Sequence, residues 1–113
     1  MENHRLVLPE HLNQYGFLFG GYLLMWVDEV AWMAASLDFE GCHFATIGMR
    51  AVTFHEPVRE GAILRFVTRQ LKVGTTSVTY SVSVNHNETE IFSNSVTLVR
   101  INKEGEKQTL PKS

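Results

Sequence analysis

An acidic residue lies in the middle of the most apolar stretch of the chain. Asp28, followed by Glu29, stands within residues 13–35, which read NQYGFLFGGYLLMWVDEVAWMAA. Most residues after the glycine pair are apolar or small, which predicts a helix that is buried rather than laid on a surface. Burial of a carboxylate in such a helix either destabilises the fold or serves a function. If the carboxylate is in use, it can act as a general base or as a nucleophile.

Two further features precede this acid. Gly20 and Gly21 would weaken a helix interior, but they suit a helix N-terminus where the backbone must approach another group closely. Free backbone N–H groups at that end, aided by the helix dipole, can stabilise an oxygen that gains negative charge. Asn13 carries an amide in the preceding loop, although an isolated asparagine there would be a turn residue in most proteins. Close packing of the helix would explain the glycines equally well.

The elements that must position these residues can be predicted from periodicity. The helix should run from about Gly20 to Leu37, after a short apolar run at residues 6–8 that is an edge strand or a lead-in. Four strands are predicted at residues 43–55, 62–73, 77–84 and 89–102, and residues 103–113 should form a polar tail. Four consecutive strands with short connections favour an antiparallel meander. A helix this apolar needs cover from a sheet that curls around it and from a second subunit, so we expect an α+β domain that oligomerises.

Composition limits the class of protein. The 113 residues are 44% apolar and 19% charged, with a formal net charge of −2, as in an ordinary globular domain; we expect one domain over residues 1–113. This charge gives no field that would collect nucleic acid or anionic lipid. Cys42 is the only cysteine, so no intramolecular disulfide can form. The N-terminus does not read as a secretory signal and the helix is too short and too charged to span a bilayer, so we expect a cytoplasmic protein.

Four segments together resemble a known family. They are Pro9-x-x-x-Asn13-x-x-Gly16-x-x-Phe19-Gly20-Gly21 with Asp28 seven residues on, residues 52–61 (VTFHEPVREG), residues 71–77 (LKVGTTS), and residues 98–102 (LVRIN) with Gly105 and Leu110-Pro111. Their order and spacing are similar to those of the hotdog-fold acyl-CoA thioesterases of the acyl-CoA hydrolase type, over nearly the whole chain. The resemblance implies a hotdog fold, in which one long central helix is wrapped by a curved antiparallel β-sheet.

The resemblance also implies an activity and a site. The family hydrolyses the thioester of an acyl-CoA to a free acid and CoA, with a catalytic asparagine and acid that match Asn13 and Asp28 by position. Asp28 would be general base or nucleophile, Asn13 would orient water or the carbonyl, and the N–H groups at Gly20 and Gly21 would stabilise the oxyanion. No metal or other cofactor is implied, and the five histidines show no metal-ligand spacing.

Geometry predicts that the site is shared. Asp28 lies seven residues beyond Gly21, or about 10 Å along a helix at ~1.5 Å per residue. One chain therefore cannot easily place its own helix N-terminus and its own Asp28 on the same thioester. Two antiparallel helices across a twofold axis can, so we expect a homodimer, alone or within a tetramer or a trimer of dimers. Asn13, Gly20 and Gly21 would come from one subunit and Asp28 from the other.

The CoA phosphates would be bound by a basic cluster beside a hydroxyl-rich turn. The candidates are Arg65, Arg69, Lys72, Gly74, Thr75, Thr76 and Ser77, and an ordinary solvated hairpin end is an equally good interpretation of them. Three positions depart from the family pattern: Phe17 and Ala62 stand where relatives often carry a polar residue and an aspartate, and Thr75 replaces a frequent arginine.

Alternatives remain open from the residues. Asp28 could instead pair with Arg50 or Arg65, because buried acids are usually paired. A hotdog domain could hold an acyl-CoA without hydrolysing it, or act as an acyl dehydratase. The dehydratase reaction usually needs a histidine paired with an acid, and no histidine lies between Asn13 and Asp28.

Overall fold

The long helix predicted around Asp28 is present and has nearly the predicted bounds. The computed structural model describes residues 1–111. Helix α1 spans Gly20–Asp38, and a 3₁₀ turn at Pro9–His11 precedes it. The strands are β1 (Glu2–Leu6), β2 (His43–Phe54), β3 (Ile63–Val73), β4 (Ser77–His86) and β5 (Thr89–Ile101). The α+β class is therefore confirmed.

All five strands form one antiparallel sheet, in the order β1-β3-β4-β5-β2. Strands β3, β4 and β5 form the predicted meander, but the prediction that all four strands after the helix are sequential neighbours is wrong. Strand β2 pairs with β5, with His43 opposite Ile101, and not with β3. Period-2 alternation determines which face each residue occupies but not which strand lies alongside, and the helix delivers the chain to the far edge of the sheet.

The core lies between α1 and the inner face of the sheet. Val27, Val30, Ala31 and Ala35 on the helix have no exposed surface, and the alternating valines of β4 are equally buried beneath them. Burial of this kind gives about 25 cal/mol per Å² of apolar area and is the main source of stability. The opposite side of the helix is uncovered, and Trp32 remains 46% exposed there.

Residues 103–111, predicted to be part of a polar tail, fold back onto the sheet. Lys107 bridges to Ile101, and the Leu110 N–H donates to the Thr75 carbonyl over 2.8 Å. The Leu110 side chain is 5% exposed, so one apolar residue anchors a segment that is otherwise polar. The last two residues of the predicted tail, 112–113, lie outside the described residues.

Candidate active site

Asn13 organises the loop that leads into the helix. Its Oδ1 accepts hydrogen bonds from the backbone N–H groups of Tyr15 (2.9 Å) and Phe17 (3.1 Å). The Asn13 N–H in turn donates to the Phe17 carbonyl over 2.7 Å, and Gly16 between them has a φ of 85°, which favours glycine. The side-chain oxygen is therefore committed to the loop, while the Nδ2 amide makes no hydrogen bond to the described residues.

The start of α1 carries free backbone donors. The N-cap residue is Phe19, which makes no side-chain capping bond. The N–H groups of Tyr22 and Leu23 are bonded to the Phe19 carbonyl, whereas those of Gly20 and Gly21 have no partner within residues 1–111. A Cβ on Gly21 would lie 2.6 Å from the Phe19 ring, so glycine is what allows that ring to pack against the helix start.

Asn13 and Gly20 open onto the same cavity. Its volume is about 340 Å³, and Leu23, Phe54 and Pro57 line it together with them. The Phe54 ring lies 3.5 Å from the place where a Cβ of Gly20 would be. Phe17, one of the departures from the family pattern, also lines the cavity, and the Arg59 guanidinium stacks 4.6 Å above the centre of its ring. The cavity thus combines the Asn13 amide and the helix start at Gly20 with mostly apolar walls, to which His55 and Glu56 add polar groups.

Asp28 lies elsewhere on the helix. It is half-buried, and its Oδ1 accepts a hydrogen bond from the Thr46 hydroxyl on β2. A separate cavity of about 350 Å³ is lined by Asp28, Glu29, Trp32 and Met33. Sequence reasoning missed Thr46, because nothing in its spacing to the helix marks it.

Neither basic residue considered as a partner of Asp28 is bonded to it. Arg65 forms an ion pair with Glu2 at 3.0 Å, and Arg50 lies in a different cavity. The carboxylate is therefore held by a neutral donor and keeps its second oxygen available. Glu29, next to it on the helix, is exposed to solvent, as expected for a solvated neighbour.

The described chain does not bring Asn13 and Asp28 into one cavity. The eight residues from Gly20 to Asp28 correspond to ~12 Å of helix rise. Two uncovered apolar side chains, Met25 (48% exposed) and Trp32, flank Asp28. Asn13 and Gly20 therefore line one cavity, and Asp28 lines a different one.

The predicted basic cluster is divided by the structure. Arg65 pairs with Asn85 across β3 and β4, whereas Gly74 follows the opposite end of β3. The nine residue steps from Arg65 to Gly74 correspond to roughly 30 Å of extended strand. Arg65 therefore does not lie beside the turn, and its guanidinium is engaged by Glu2. The sequence interpretation grouped the three basic residues as one cluster beside the turn, but the extended strand separates Arg65 from Lys72.

Lys72 lies beside the turn, as predicted from the sequence. Arg50, which was not predicted to bind CoA, lines the same cavity. A cavity of about 420 Å³ on the outer face of the sheet is lined by Lys72, Gly74 and Ser77 together with Arg50 from β2. Thr79 and Thr97 form its floor, with their hydroxyl oxygens 2.8 Å apart. Two cations above a floor of hydroxyl groups form an anion-binding arrangement.

The remaining turn residues have structural bonds. The Gly74 N–H donates to the Ser77 carbonyl, and the Thr76 carbonyl accepts from Arg100. Gly74 and Thr75 also border a cleft of about 700 Å³ between the end of α1 and the C-terminal segment. Arg69 lines a neighbouring cavity of about 400 Å³.

A hydrogen bond from the buried Tyr80 to Asp38 fixes the end of the helix over this region. The Tyr80 hydroxyl donates to Asp38 over 2.7 Å, and Gln70 donates to the same oxygen over 3.4 Å. Burial, and then the hydrogen bond to Asp38, raises the pKa of Tyr80 well above its ordinary value. Tyr80 therefore stays protonated far into the alkaline range.

The described residues offer neither a metal-binding cluster nor a membrane-spanning helix. Within residues 1–111, no three His, Cys, Asp or Glu side chains converge as a metal-binding group. No helix among the same residues is long and apolar enough to cross a membrane.

Comparison with known proteins identifies the family. Residues 15–92 match the model of the thioesterase superfamily. The chain is also 32% identical over 77 residues to an uncharacterised acyl-CoA thioester hydrolase of Zymomonas mobilis, a match that covers 68% of this chain and 51% of that protein. The chain thus spans about half the length of this curated relative.

Solved structures of thioesterases are similar over almost the whole chain. An acyl-CoA hydrolase from Staphylococcus aureus, solved with butyryl-CoA, CoA and CoA disulfide, is 26% identical with a TM-score of 0.87; the match covers 98% of this chain and 71% of that one. A hexameric hotdog-fold thioesterase of Campylobacter jejuni is 27% identical with a TM-score of 0.85, over 96% and 88% of the two chains. These matches confirm the predicted hotdog fold.

The Staphylococcus aureus hydrolase has also been solved as three alanine variants. They replace one aspartate, one asparagine and one threonine. The asparagine and the aspartate are the same number of positions apart as Asn13 and Asp28.

Proposed function

Because the chain belongs to the thioesterase superfamily, we propose that it hydrolyses the thioester of an acyl-CoA to a free carboxylic acid and CoA. The observation that carries this proposal is the complementary pair of cavities. One offers a free amide and free helix N–H groups beside Asn13 and Gly20, and the other offers a half-exposed carboxylate at Asp28. Thioester hydrolysis needs both an oxyanion stabiliser and a base or nucleophile.

Asp28 supplies the attacking group in this proposal. As general base, it takes a proton from a water that attacks the thioester carbon. As nucleophile, it attacks that carbon itself and forms a mixed anhydride, which a water molecule then hydrolyses to release the free acid and restore the carboxylate. In either route the C–S bond breaks and the CoA thiolate leaves and takes up a proton. The Thr46 hydroxyl holds one oxygen of Asp28, which leaves the other directed to the reaction.

The helix start stabilises the charge that develops on the carbonyl oxygen. The Gly20 and Gly21 N–H groups are free, and the positive end of the helix dipole reinforces them. The Asn13 amide lines the same cavity and orients the attacking water or the carbonyl. Its oxygen is fixed by two backbone donors, so the amide is oriented before substrate binds.

Each complete site uses two subunits. The uncovered side chains of Met25 and Trp32 beside Asp28 form an apolar surface that a second copy would cover. Antiparallel pairing of two α1 helices would bring the Asn13 cavity of one subunit to the Asp28 cavity of the other. We propose a homodimer, within a larger ring if the chain assembles as its hexameric relative from Campylobacter jejuni does.

Lys72 and Arg50, above the Thr79 and Thr97 hydroxyls, are the best candidates to bind the CoA phosphates. Lys72 was part of the cluster predicted from the sequence, and Arg50 joins it in this proposal in place of Arg65. The reaction as proposed uses no metal or redox cofactor, and the cytoplasm stays the predicted compartment.

Free-thiol release is the measurement that tests the activity. We expect release from acyl-CoAs of at least one chain length among acetyl-, butyryl-, octanoyl- and palmitoyl-CoA. Asp28→Asn should reduce kcat by about 1,000-fold, within the range expected for loss of a general base, while CoA still binds.

The matched control is Glu88→Gln, which makes the same carboxylate-to-amide change in the exposed turn between β4 and β5. It should leave kcat unchanged. Full activity in Asp28→Asn would refute the role of Asp28. Binding of every acyl-CoA without any thiol release would favour an acyl-CoA-binding module instead.

A further inference from the structure

A buried amide lies on the inner face of the sheet without a hydrogen-bond partner. Asn94 on β5 is 6% exposed, and neither its Oδ1 nor its Nδ2 makes a hydrogen bond in the described part of the chain. A buried polar group left unpaired is unfavourable, and an amide has both donor and acceptor groups to satisfy. Its inward-facing neighbours on the strand, Phe92 and Val96, are apolar. The pattern therefore predicts an apolar residue such as leucine at position 94.

Along β5, Asn94 lies between a residue near the Asn13 cavity and a residue paired with the strand that holds Asp28. Phe92, two positions earlier on the same face, packs its ring 5.0 Å from that of Phe54, which covers Gly20. Leu98, four positions later, lies opposite Thr46, the residue that holds Asp28. At ~3.3 Å per residue, Asn94 is about 7 Å from the level of Phe92 and about 13 Å from that of Leu98.

The sheet is irregular beside this amide. The register between β2 and β5 shifts between Arg50, opposite Ser95, and Thr53, opposite Ser93. Asn94 thus faces a bulge, in which Ala51 has a φ of 54°, an uncommon value for a residue other than glycine. Bulges occur often next to active sites, where they interrupt the ladder and redirect side chains.

To reach Asn94 from the Asn13 cavity, an acyl chain would have to pass the Phe54–Phe92 ring pair. Phe54 lines the cavity and is 53% exposed. Rotation of Phe54 toward solvent would disturb little packing. Phe92, which has no exposed surface, would remain in place beside Asn94.

We propose that Asn94 is a specificity-determining residue, and that it hydrogen-bonds a hydroxyl group on the acyl chain of the substrate. This inference rests on the proposed thioesterase function. A hydroxyl both donates and accepts, so one hydroxyl can pair with the Oδ1 and the Nδ2 of the same amide. An unsubstituted alkyl chain would leave both atoms unpaired, and sites built to bond a hydroxyl discriminate against analogues that lack it.

The test compares matched substrates that differ by one hydroxyl. The pairs are 3-hydroxybutyryl-CoA with butyryl-CoA, and 6-hydroxyhexanoyl-CoA with hexanoyl-CoA. For at least one pair, wild-type kcat/KM should favour the hydroxylated member by about tenfold. Asn94→Leu, which keeps the branch at Cγ and removes the amide, and Asn94→Val, which suits a strand, should both bring the ratio to about one or below.

The control is Thr68→Val. Thr68 is also buried on the inner face with an unpartnered hydroxyl, but it lies on β3, near the other end of the helix. It should leave the substrate ratio as in wild type. A wild-type ratio near one for both pairs, or a ratio unchanged in Asn94→Leu and Asn94→Val, would overturn the proposal and make Asn94 a buried amide paired only with water.

Binding separates this proposal from the thioesterase function. Affinities for the same four CoA esters, measured by calorimetry in an Asp28→Asn background, report the Asn94 contact without hydrolysis. If wild type releases no thiol but the affinity ratio depends on Asn94, the proposed function fails and the hydroxyl contact stands. If thiol is released and neither ratio depends on Asn94, the hydroxyl contact fails and the proposed function stands.

Discussion

The start and the middle of α1 supply the two halves of the proposed site in different ways. At the start, the groups are mostly backbone: free N–H groups of Gly20 and Gly21, and an Asn13 side chain fixed by two backbone donors. In the middle, the group is one carboxylate held by one hydroxyl, with exposed Met25 and Trp32 around it. The groups at the helix start are positioned by their own loop. Asp28, in contrast, lies on an apolar surface that the described chain leaves exposed.

This difference indicates which half depends on assembly. The geometry at the helix start is determined by local hydrogen bonds and should persist in an isolated subunit. The surroundings of Asp28 should change on association, because a covered apolar surface excludes water and strengthens electrostatic interactions.

Removing the amide of Asn13 while keeping its loop bonds tests the first half. In Asn13→Asp, a carboxylate oxygen can still accept from Tyr15 and Phe17, but the Nδ2 donor is lost. We expect kcat to fall by about 100-fold, as for the loss of one oxyanion or orienting donor, with unfolding free energy near that of wild type. Asn13→Ala should lose activity and also about 1 kcal/mol of stability, measured by urea denaturation. Wild-type kcat in Asn13→Asp would show that Asn13 only shapes the loop.

Removing the hydroxyl that holds Asp28 tests the second half. Thr46→Val keeps the shape of the side chain and deletes the donor, so we expect kcat to fall by roughly tenfold, the value of a hydrogen bond to a charged group. KM should be unchanged, and Thr46→Ser should restore kcat. Equal losses in Thr46→Val and Thr46→Ser would point to packing of β2 instead of orientation of the carboxylate.

The hydrogen bond between Tyr80 and Asp38, at the C-terminal end of α1, should affect stability and not catalysis. The raised pKa of Tyr80 keeps it protonated when the unfolded tyrosine, with a pKa of about 10, ionises. The unfolded chain then binds fewer protons, so unfolding free energy should fall as pH rises above about 10, by up to ~1.4 kcal/mol per pH unit. Tyr80→Phe should lack this contribution in urea denaturation between pH 9 and 11. An identical pH slope in both proteins would contradict the raised pKa that burial and the hydrogen bond to Asp38 give Tyr80.

The sequence predicted the features that depend on neighbouring residues. It did not predict those that depend on contacts distant along the chain. The helix and the alternation of β4 were predicted from periodicity. The glycine pair was placed at the helix start because glycine weakens a helix interior, and each of these features depends on neighbouring residues. The strand order was not, since β2 pairs with β5 through contacts distant in sequence. The polar tail was described by its composition, which did not indicate the burial of Leu110.

The candidate site shows the same limit. Asn13, Gly20 and Asp28 were selected by spacing within one continuous stretch, and the structure places them as that spacing implied. Thr46 and Arg50 lie on β2, which pairs with the distant strand β5. Spacing therefore did not indicate Thr46, and Arg50 was considered only as a partner of Asp28. Arg65 was grouped with Lys72 by proximity along the chain, and extension of β3 separates the two.

Mixed oligomers test the central claim that each site uses both halves from different subunits. Chains carrying Asn13→Ala and Asp28→Ala, with different affinity tags, would be co-expressed and the mixed dimers isolated through both tags. Each mixed dimer contains one site with both defects and one intact site, so thiol release should recover to about half of the wild-type rate per dimer. Release no higher than that of the two parent variants would contradict the shared site.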